Sequence, residues 1–193
     1  MNSVVRQISA VPPDVSADHF RSAMRHLTGG VSVITAGRGE DITGMTVTSV
    51  SSLSIEPASL IVSINRDASS WPVVKRLGFF GVNILAADQL DVAERFTGKG
   101  GLKGAERFAG AQWITRVSGV PLLAGALAAI DCAVDDIVER HSHAILIGRV
   151  LDITSTTRTA ALAYWQGRYV AVDQDEDLAR LAEVSLPLTR ARR

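Results

Sequence analysis

The sequence predicts a mainly β protein with peripheral helices, arranged as an antiparallel Greek-key barrel. Three observations carry this. About seven segments read as strands, through alternation or through short apolar runs bounded by turn residues. Few helices separate them, which argues against a parallel α/β sheet. The glycine-rich stretch TGKGGLKG at 97–104 has neither P-loop spacing nor the G-x-G-x-x-G that opens a dinucleotide-binding helix after a strand.

A length of 193 residues suits one domain, and a hydrophobic fraction of 47% is ample for its core. Twenty basic and twenty acidic residues balance, so no charge excess points to nucleic acid or an anionic membrane surface. The single cysteine, Cys132, excludes an intrachain disulfide and a CxxC site, and suits a reducing compartment. It sits in the apolar run AAIDCAV and reads as a buried thiol. No apolar run reaches the roughly 18 residues of a membrane span. The first twenty residues lack the features of a signal peptide, so a cytoplasmic protein is expected.

In chain order, residues 1–17 read as a loose arm, 18–172 as one domain and 173–193 as a tail that ends in arginines. Asp18 opens a helix with Phe20, Ala23, Met24 and Leu27 on one stripe, and Gly29-Gly30 is expected to end it. His19 and His26 on that helix have no metal-spaced partner. VSVITA at 31–36 alternates into a strand. The stretch from Ile42 to Arg66 follows, uncharged between Ile42 and Ile55 and crowded with hydroxyls. Read as one strand, it puts Thr46, Thr48, Ser52 and Ser54 on one face and Met45, Val47, Leu53 and Ile55 on the other. The hydroxyl face is either solvated or the wall of a site for a neutral ligand edge, because a hydroxyl both donates and accepts.

Pro57 breaks that strand and ASLIVSI at 58–64 reads as a buried one. Ser69 and Ser70 precede a short helix opened by Trp71-Pro72, where they fit either an ordinary N-cap or a phosphate cradle. FFGVNIL at 79–85 is a strand, and Asp88 is placed as the cap of a helix reaching Phe96. The 97–104 loop, with Lys99 and Lys103, is a mobile loop or a lid that meets phosphates. Trp113-Ile114 starts a short strand and Gly119-Val120-Pro121 turns. Ala126 to Val138 and Ala144 to Ile153 form the longest strand pair, joined through a connection with His141 and His143 but no third zinc ligand. Thr159 to Trp165 reads as a helical or extended link, and Tyr169 to Val172 as the last strand.

Seven of these segments occur in a familiar order: FRSAMRHLTGGVSVITA, GMTVTSVSSLSIEPASLIVSINRDASSW, FFGVNIL, DVAERF, GALAAIDCAV, SHAILIGRV and YWQGRYV. In that order the chain resembles the short-chain flavin reductases of the split-barrel flavin-binding family, the reductase components of two-component flavin-dependent monooxygenases. The resemblance spans about Asp18 to Val172 and implies a six-stranded antiparallel split β-barrel with Greek-key topology, usually a homodimer. It implies reduction of FMN or FAD by NADH or NADPH, with reduced flavin passed to a separate monooxygenase. Ile42, Thr43, Gly44, Met45, Thr46, Thr48 and Ser49 match the segment that lines the flavin ring and ribityl chain. Ser63, Ile64 and Asn65 match the next strand end on the flavin, and Ser69 and Ser70 the hydroxyls that hold its phosphate. Arg95 and Phe96 match a helix end near the phosphate or adenylate side. Tyr164, Trp165, Gln166 and Gly167 match a turn associated with the nicotinamide cofactor.

One segment departs from that pattern. The family commonly has Gly-Asp-His where this chain has His141-Ser142-His143. His143 keeps the histidine tied to nicotinamide binding in relatives. No catalytic acid, base or metal is expected, because the resemblance implies hydride transfer between two cofactors. The alternatives are a flavin-carrying protein without NAD(P)H activity and an oxidase of the pyridoxamine-phosphate type. The latter calls for a basic substrate-phosphate site that the sequence does not offer.

Overall fold

The computed structural model describes residues 14–158 and 160–173. The expected arm and tail lie outside them, apart from residues 14–17 and Asp173. In chain order the elements are α1 (Ala17–Met24), β1 (Gly29–Gly30), β2 (Ser32–Ala36), β3 (Thr43–Val47), β4 (Val50–Ile55), β5 (Ala58–Asn65), α2 (Trp71–Leu77) and β6 (Phe79–Ile84). They continue with α3 (Leu90–Phe96), β7 (Trp113–Thr115), β8 (Pro121–Leu123), β9 (Ala128–Arg140), β10 (His143–Ser155), β11 (Ala161–Trp165) and β12 (Arg168–Val172). Two short 3-10 turns, Lys99–Gly101 and Gly104–Phe108, follow α3.

Seven strands make one antiparallel sheet in the order β3-β2-β6-β9-β10-β5-β4. The connection between its two edge strands forces it to curve. Seven flat strands at about 4.8 Å spacing would set their outer members roughly 29 Å apart. Yet β3 and β4 are consecutive, joined only through Thr48 and Ser49, a link that reaches about 11 Å at full stretch. The sheet therefore rolls until its edges meet at that corner. The sequence reading treated Ile42 to Ile55 as one strand; it is two, divided where the chain turns from one edge to the other.

Alternation decides which side chains fill the roll. On β5, Leu60, Val62 and Ile64 are buried while Ser59, Ile61 and Ser63 between them are not. On β10, Ala144, Leu146 and Gly148 point the same way. They meet Ile34, Phe80, Val82 and Cys132, with Trp71 and Val74 of α2 closing the cluster. A second core joins Val31, Val33, Leu85, Leu122 and Leu162 to Phe96 and Phe108. The Phe96 and Phe108 rings meet edge to face at 4.9 Å between centroids.

Several local expectations change. Gly29-Gly30 do not end the first helix: α1 stops at Met24, capped at Arg25, and the glycines pair with β11. An added Cβ on Gly29 would fall 2.9 Å from Thr48 Cβ, so glycine is needed there to let the two backbones close. The α1 stripe is not core, since Phe20, Met24 and Leu27 are 61%, 44% and 65% exposed. The helix begins at Ala17, one residue before Asp18, and Ser16 caps it, accepting the His19 N–H. Asp88 does not cap α3, whose cap position is Gln89; its carboxylate pairs with Arg158. Pro121 lies in strand β8 rather than in a turn. The link before Trp165 is strand β11, which with β1 and β12 forms a three-stranded sheet.

Candidate active site

The roll brings its functional residues to one end. A cleft of about 740 Å³ opens there, within the range that small-molecule and cofactor sites occupy. One wall is the end of β3 and the corner after it, Met45 to Ser49. Ser63 and Asn65 of β5 and His143 of β10 form the floor, and Tyr164, Gly167 and Tyr169 of the β11–β12 hairpin the far wall. Strand register explains the floor: His143 pairs with Asn65, and Ile145 with Ser63.

Some of the hydroxyls are spent inside the protein. Thr46 Oγ1 donates to the Ala93 carbonyl at 2.6 Å, which ties β3 to α3. Ser49 Oγ donates to the Ser63 carbonyl at 2.7 Å. Other polar groups on the cleft remain unpaired. Thr48 Oγ1, Ser63 Oγ, the Asn65 side-chain N–H groups and His143 Nε2 have no hydrogen-bond partner among the described residues, whereas Asn65 Oδ1 accepts the Asp67 N–H at 3.0 Å. His143 Nδ1 lies 2.9 Å from Ser142 Oγ, within a turn in which His141 adopts φ 50°. The charged groups Glu94 and Lys99 on the rim pair with each other at 2.8 Å. The donor set is therefore largely neutral, which suits an uncharged heterocycle edge and a polyol chain.

The remaining predicted residues are distributed as follows. Ile42 is half-buried, and Thr43 is buried with its Oγ1 unpartnered. Gly44 lies under the Phe96 ring, where an added Cβ would come within 2.8 Å of it. Ile64 points into the core. Neither Ser69 nor Ser70 lines the cleft. Ser69 is exposed, while the Ser70 hydroxyl is buried, makes no cap hydrogen bond to α2 and has no partner. The sequence reading of serines satisfying that helix's N–H groups is thus corrected for Ser70. Arg95 donates from Nη2 to the Glu106 carbonyl at 2.9 Å and lines a separate pocket of about 260 Å³. Phe96 is a core ring. Trp165 and Gln166 line a neighbouring pocket of about 410 Å³, which shares Thr48, Tyr164 and Gly167 with the cleft.

Sequence reasoning missed Val31, Val47, Glu94 and Tyr169 on the cleft, and had Thr97 and Lys99 only through one reading of their loop. Tyr169 pairs with Tyr164 across the hairpin, ring centroids 5.2 Å apart. Burial, then the neighbouring Tyr164 and Glu94, push its phenol pKa up from the ordinary value. Its aromatic character in the YWQGRYV hairpin was the one available signal.

Residues 24–173 match the flavin reductase like domain. The chain belongs to that family. It is 37% identical over 155 residues to the FMN reductase (NADH) RutF of Cronobacter sakazakii (strain ATCC BAA-894), covering 80% of this chain and 92% of that one. It is 27% identical over 176 residues to HsaB of Rhodococcus jostii (strain RHA1), the reductase subunit of a flavin-dependent monooxygenase, over 91% of this chain and 88% of that one. Among solved structures it is similar to BorF, the flavin reductase component of a bacterial two-component tryptophan halogenase. That similarity has a TM-score of 0.76 at 30% identity and covers 82% of this chain and 99% of that one. The unpaired neutral donors and the cleft volume fit the flavin that this family name implies.

Proposed function

We propose that the protein is an NADH-dependent flavin reductase that passes reduced flavin to a separate monooxygenase. One observation carries the reading. Unpaired groups of Thr48, Ser63, Asn65 and His143 converge on a single cleft with Tyr164 and Gly167, in a chain of the flavin reductase like family. The names of the RutF and HsaB relatives support the cofactor and the partner.

When bound, the two cofactors supply the chemistry, a hydride passing from reduced nicotinamide to flavin. The protein's part is alignment. Thr48, Ser63 and Asn65, with the backbone from Thr43 to Thr46, hold the ring edge and ribityl chain of FMN or FAD. Ser69, exposed ahead of α2, serves the phosphate, whereas the buried Ser70 hydroxyl does not reach it. Arg95 supports the adenylate side, and Phe96 acts through Gly44 by backing β3. His143 and the Tyr164–Gly167 hairpin hold the nicotinamide nucleotide against the flavin. A largely neutral lining favours neither redox state strongly, so reduced flavin leaves.

The rolled sheet is the basis for a split barrel within residues 18–172. The exposed Phe20 and Met24 of α1, Leu27 just after it, and Leu53 and Ile55 of β4 support a homodimer, because exposed large apolar side chains mark surfaces that are normally covered. Among the described residues no helix is long and apolar enough to cross a membrane, in keeping with a cytoplasmic enzyme.

The test is NADH consumption in air with and without added FMN or FAD. Flavin-dependent oxidation is expected. Flavin binding without NADH oxidation would leave a flavin-carrying protein, and absence of both would end the proposal.

A further inference from the structure

The turn that presents His143 is held by a residue outside the cleft. Arg66 leaves the end of β5 and reaches across to the β9–β10 turn. Its Nη1 donates to the His141 carbonyl at 3.0 Å, and its Nη2 pairs with Glu139 at 2.9 Å. Its backbone N–H donates to the Ser142 carbonyl at 2.9 Å. Lys75 of α2 takes the other Glu139 oxygen at 2.7 Å. The two cations, Lys75 first through its hydrogen bond, hold the Glu139 carboxyl below its usual range.

The side-chain bonds are placed on particular atoms of the turn. His141 sits in the left-handed region at φ 50°, where a residue with a Cβ is uncommon. Its carbonyl is the one that Arg66 grips. Ser142 follows, and its hydroxyl meets His143 Nδ1 at 2.9 Å. A planar guanidinium forked between a carboxylate and a carbonyl fixes direction as well as distance. Around an exposed two-residue turn, direction is what an otherwise free imidazole lacks.

We infer that Arg66 is a positioning residue for the nicotinamide substrate: it locks the His141–Ser142 turn so that His143 presents Nε2 to the cleft. This rests on the reading of His143 given above. Arg66 touches neither cofactor and acts through the histidine.

Steady-state NADH oxidation at saturating FMN tests this in Arg66→Ala, Arg66→Lys, His143→Ala and the Arg66→Ala/His143→Ala double variant. Arg66→Ala is expected to raise the KM for NADH about tenfold, with kcat and flavin Kd changed less than about twofold. Arg66→Lys keeps the charge without the fork and should recover part of that loss. In the His143→Ala background, Arg66→Ala should add almost nothing, because the group it positions is gone. An unchanged KM in Arg66→Ala beside a raised KM in His143→Ala overturns the inference and leaves the histidine's role standing. An equal effect of Arg66→Ala in both backgrounds also overturns it, since Arg66 then acts by another route. An unchanged KM in His143→Ala overturns the role of the histidine and the inference with it. Should Arg66→Ala not fold, Arg66→Lys alone and in the His143→Ala background carries the same comparison.

Discussion

Ser49 donates its hydroxyl to the Ser63 carbonyl at 2.7 Å, at the corner where the sheet's edge strands meet. The bond lies just beyond the last β4–β5 ladder pair, Val50 with Val62, and so extends that ladder by a side chain. It fixes the backbone of the cleft wall rather than offering a free donor to it. Ser49→Ala is expected to cost about 1 kcal/mol of stability and to weaken flavin binding several-fold as the corner loosens. Denaturant unfolding and a fluorescence titration of FMN measure the two effects. Full retention of flavin affinity would show that the corner does not depend on this bond.

Asn83 plays the corresponding part in the core without lining the cleft. It is fully buried, accepts the Leu123 N–H on Oδ1 at 2.6 Å and donates to the Val33 carbonyl at 2.9 Å, joining β2, β6 and β8. Asn83→Ala leaves the Leu123 N–H unpaired and a small void beside it. The expected loss is about 2–4 kcal/mol, with FMN affinity unchanged at temperatures where the variant is folded. Calorimetry with a parallel titration checks both.

What was legible in the sequence follows from the range of each signal. The β5, β6, β9 and β10 strands carry period-two or continuous apolar patterns that need no knowledge of the fold. The division of β3 from β4 was hidden because Thr48-Ser49 is neither glycine nor proline, and only the pairing of each half with a different neighbour reveals it. The hydroxyl wall could be located, but which hydroxyls are spent depends on the Ala93 and Ser63 carbonyls brought in by folding. Glu94 and Tyr169 reach the cleft from α3 and β12, elements far apart in the chain. The stripe of Phe20, Ala23 and Met24 lies on α1 while Leu27 falls beyond its end, and periodicity does not reveal what an apolar face packs against.

Gly44 links the core to the cleft. A methyl group there would lie 2.5 Å from the Ile34 carbonyl oxygen and 2.8 Å from the Phe96 ring. Neither neighbour yields easily, one being backbone and the other a ring packed against Phe108 and Trp113. Gly44→Ala should therefore cost about 1–3 kcal/mol. It should also raise the FMN Kd, since β3 and α3, joined by the Thr46–Ala93 bond, are forced apart. Gly30→Ala is the control, because an added Cβ there meets nothing within 4 Å. Equal melting temperatures for the two variants would refute the steric account.

Cys132 makes the alkaline limb of stability predictable. Its side chain is fully buried next to its ladder partner Phe80, and its Cβ lies 3.4 Å from where a Cβ on Gly148 would sit. Burial, with a smaller contribution from the Asp131 charge, pushes the thiol pKa up from 9.0 to about 12. A group whose folded pKa is raised stabilises the fold in its protonated form. That contribution is complete below about pH 9, where both states keep the proton, and is lost as pH climbs from there towards 12. By pH 11 the unfolded chain has released the proton and the folded chain has not, which removes roughly 2–3 kcal/mol. Cys132→Ala is less stable than the parent at neutral pH because of the void it leaves, yet the gap should narrow steadily above pH 9. Urea unfolding of both proteins between pH 7 and pH 11 measures that gap. A constant difference across the range would mean that the thiol ionises in the fold as readily as in the open chain.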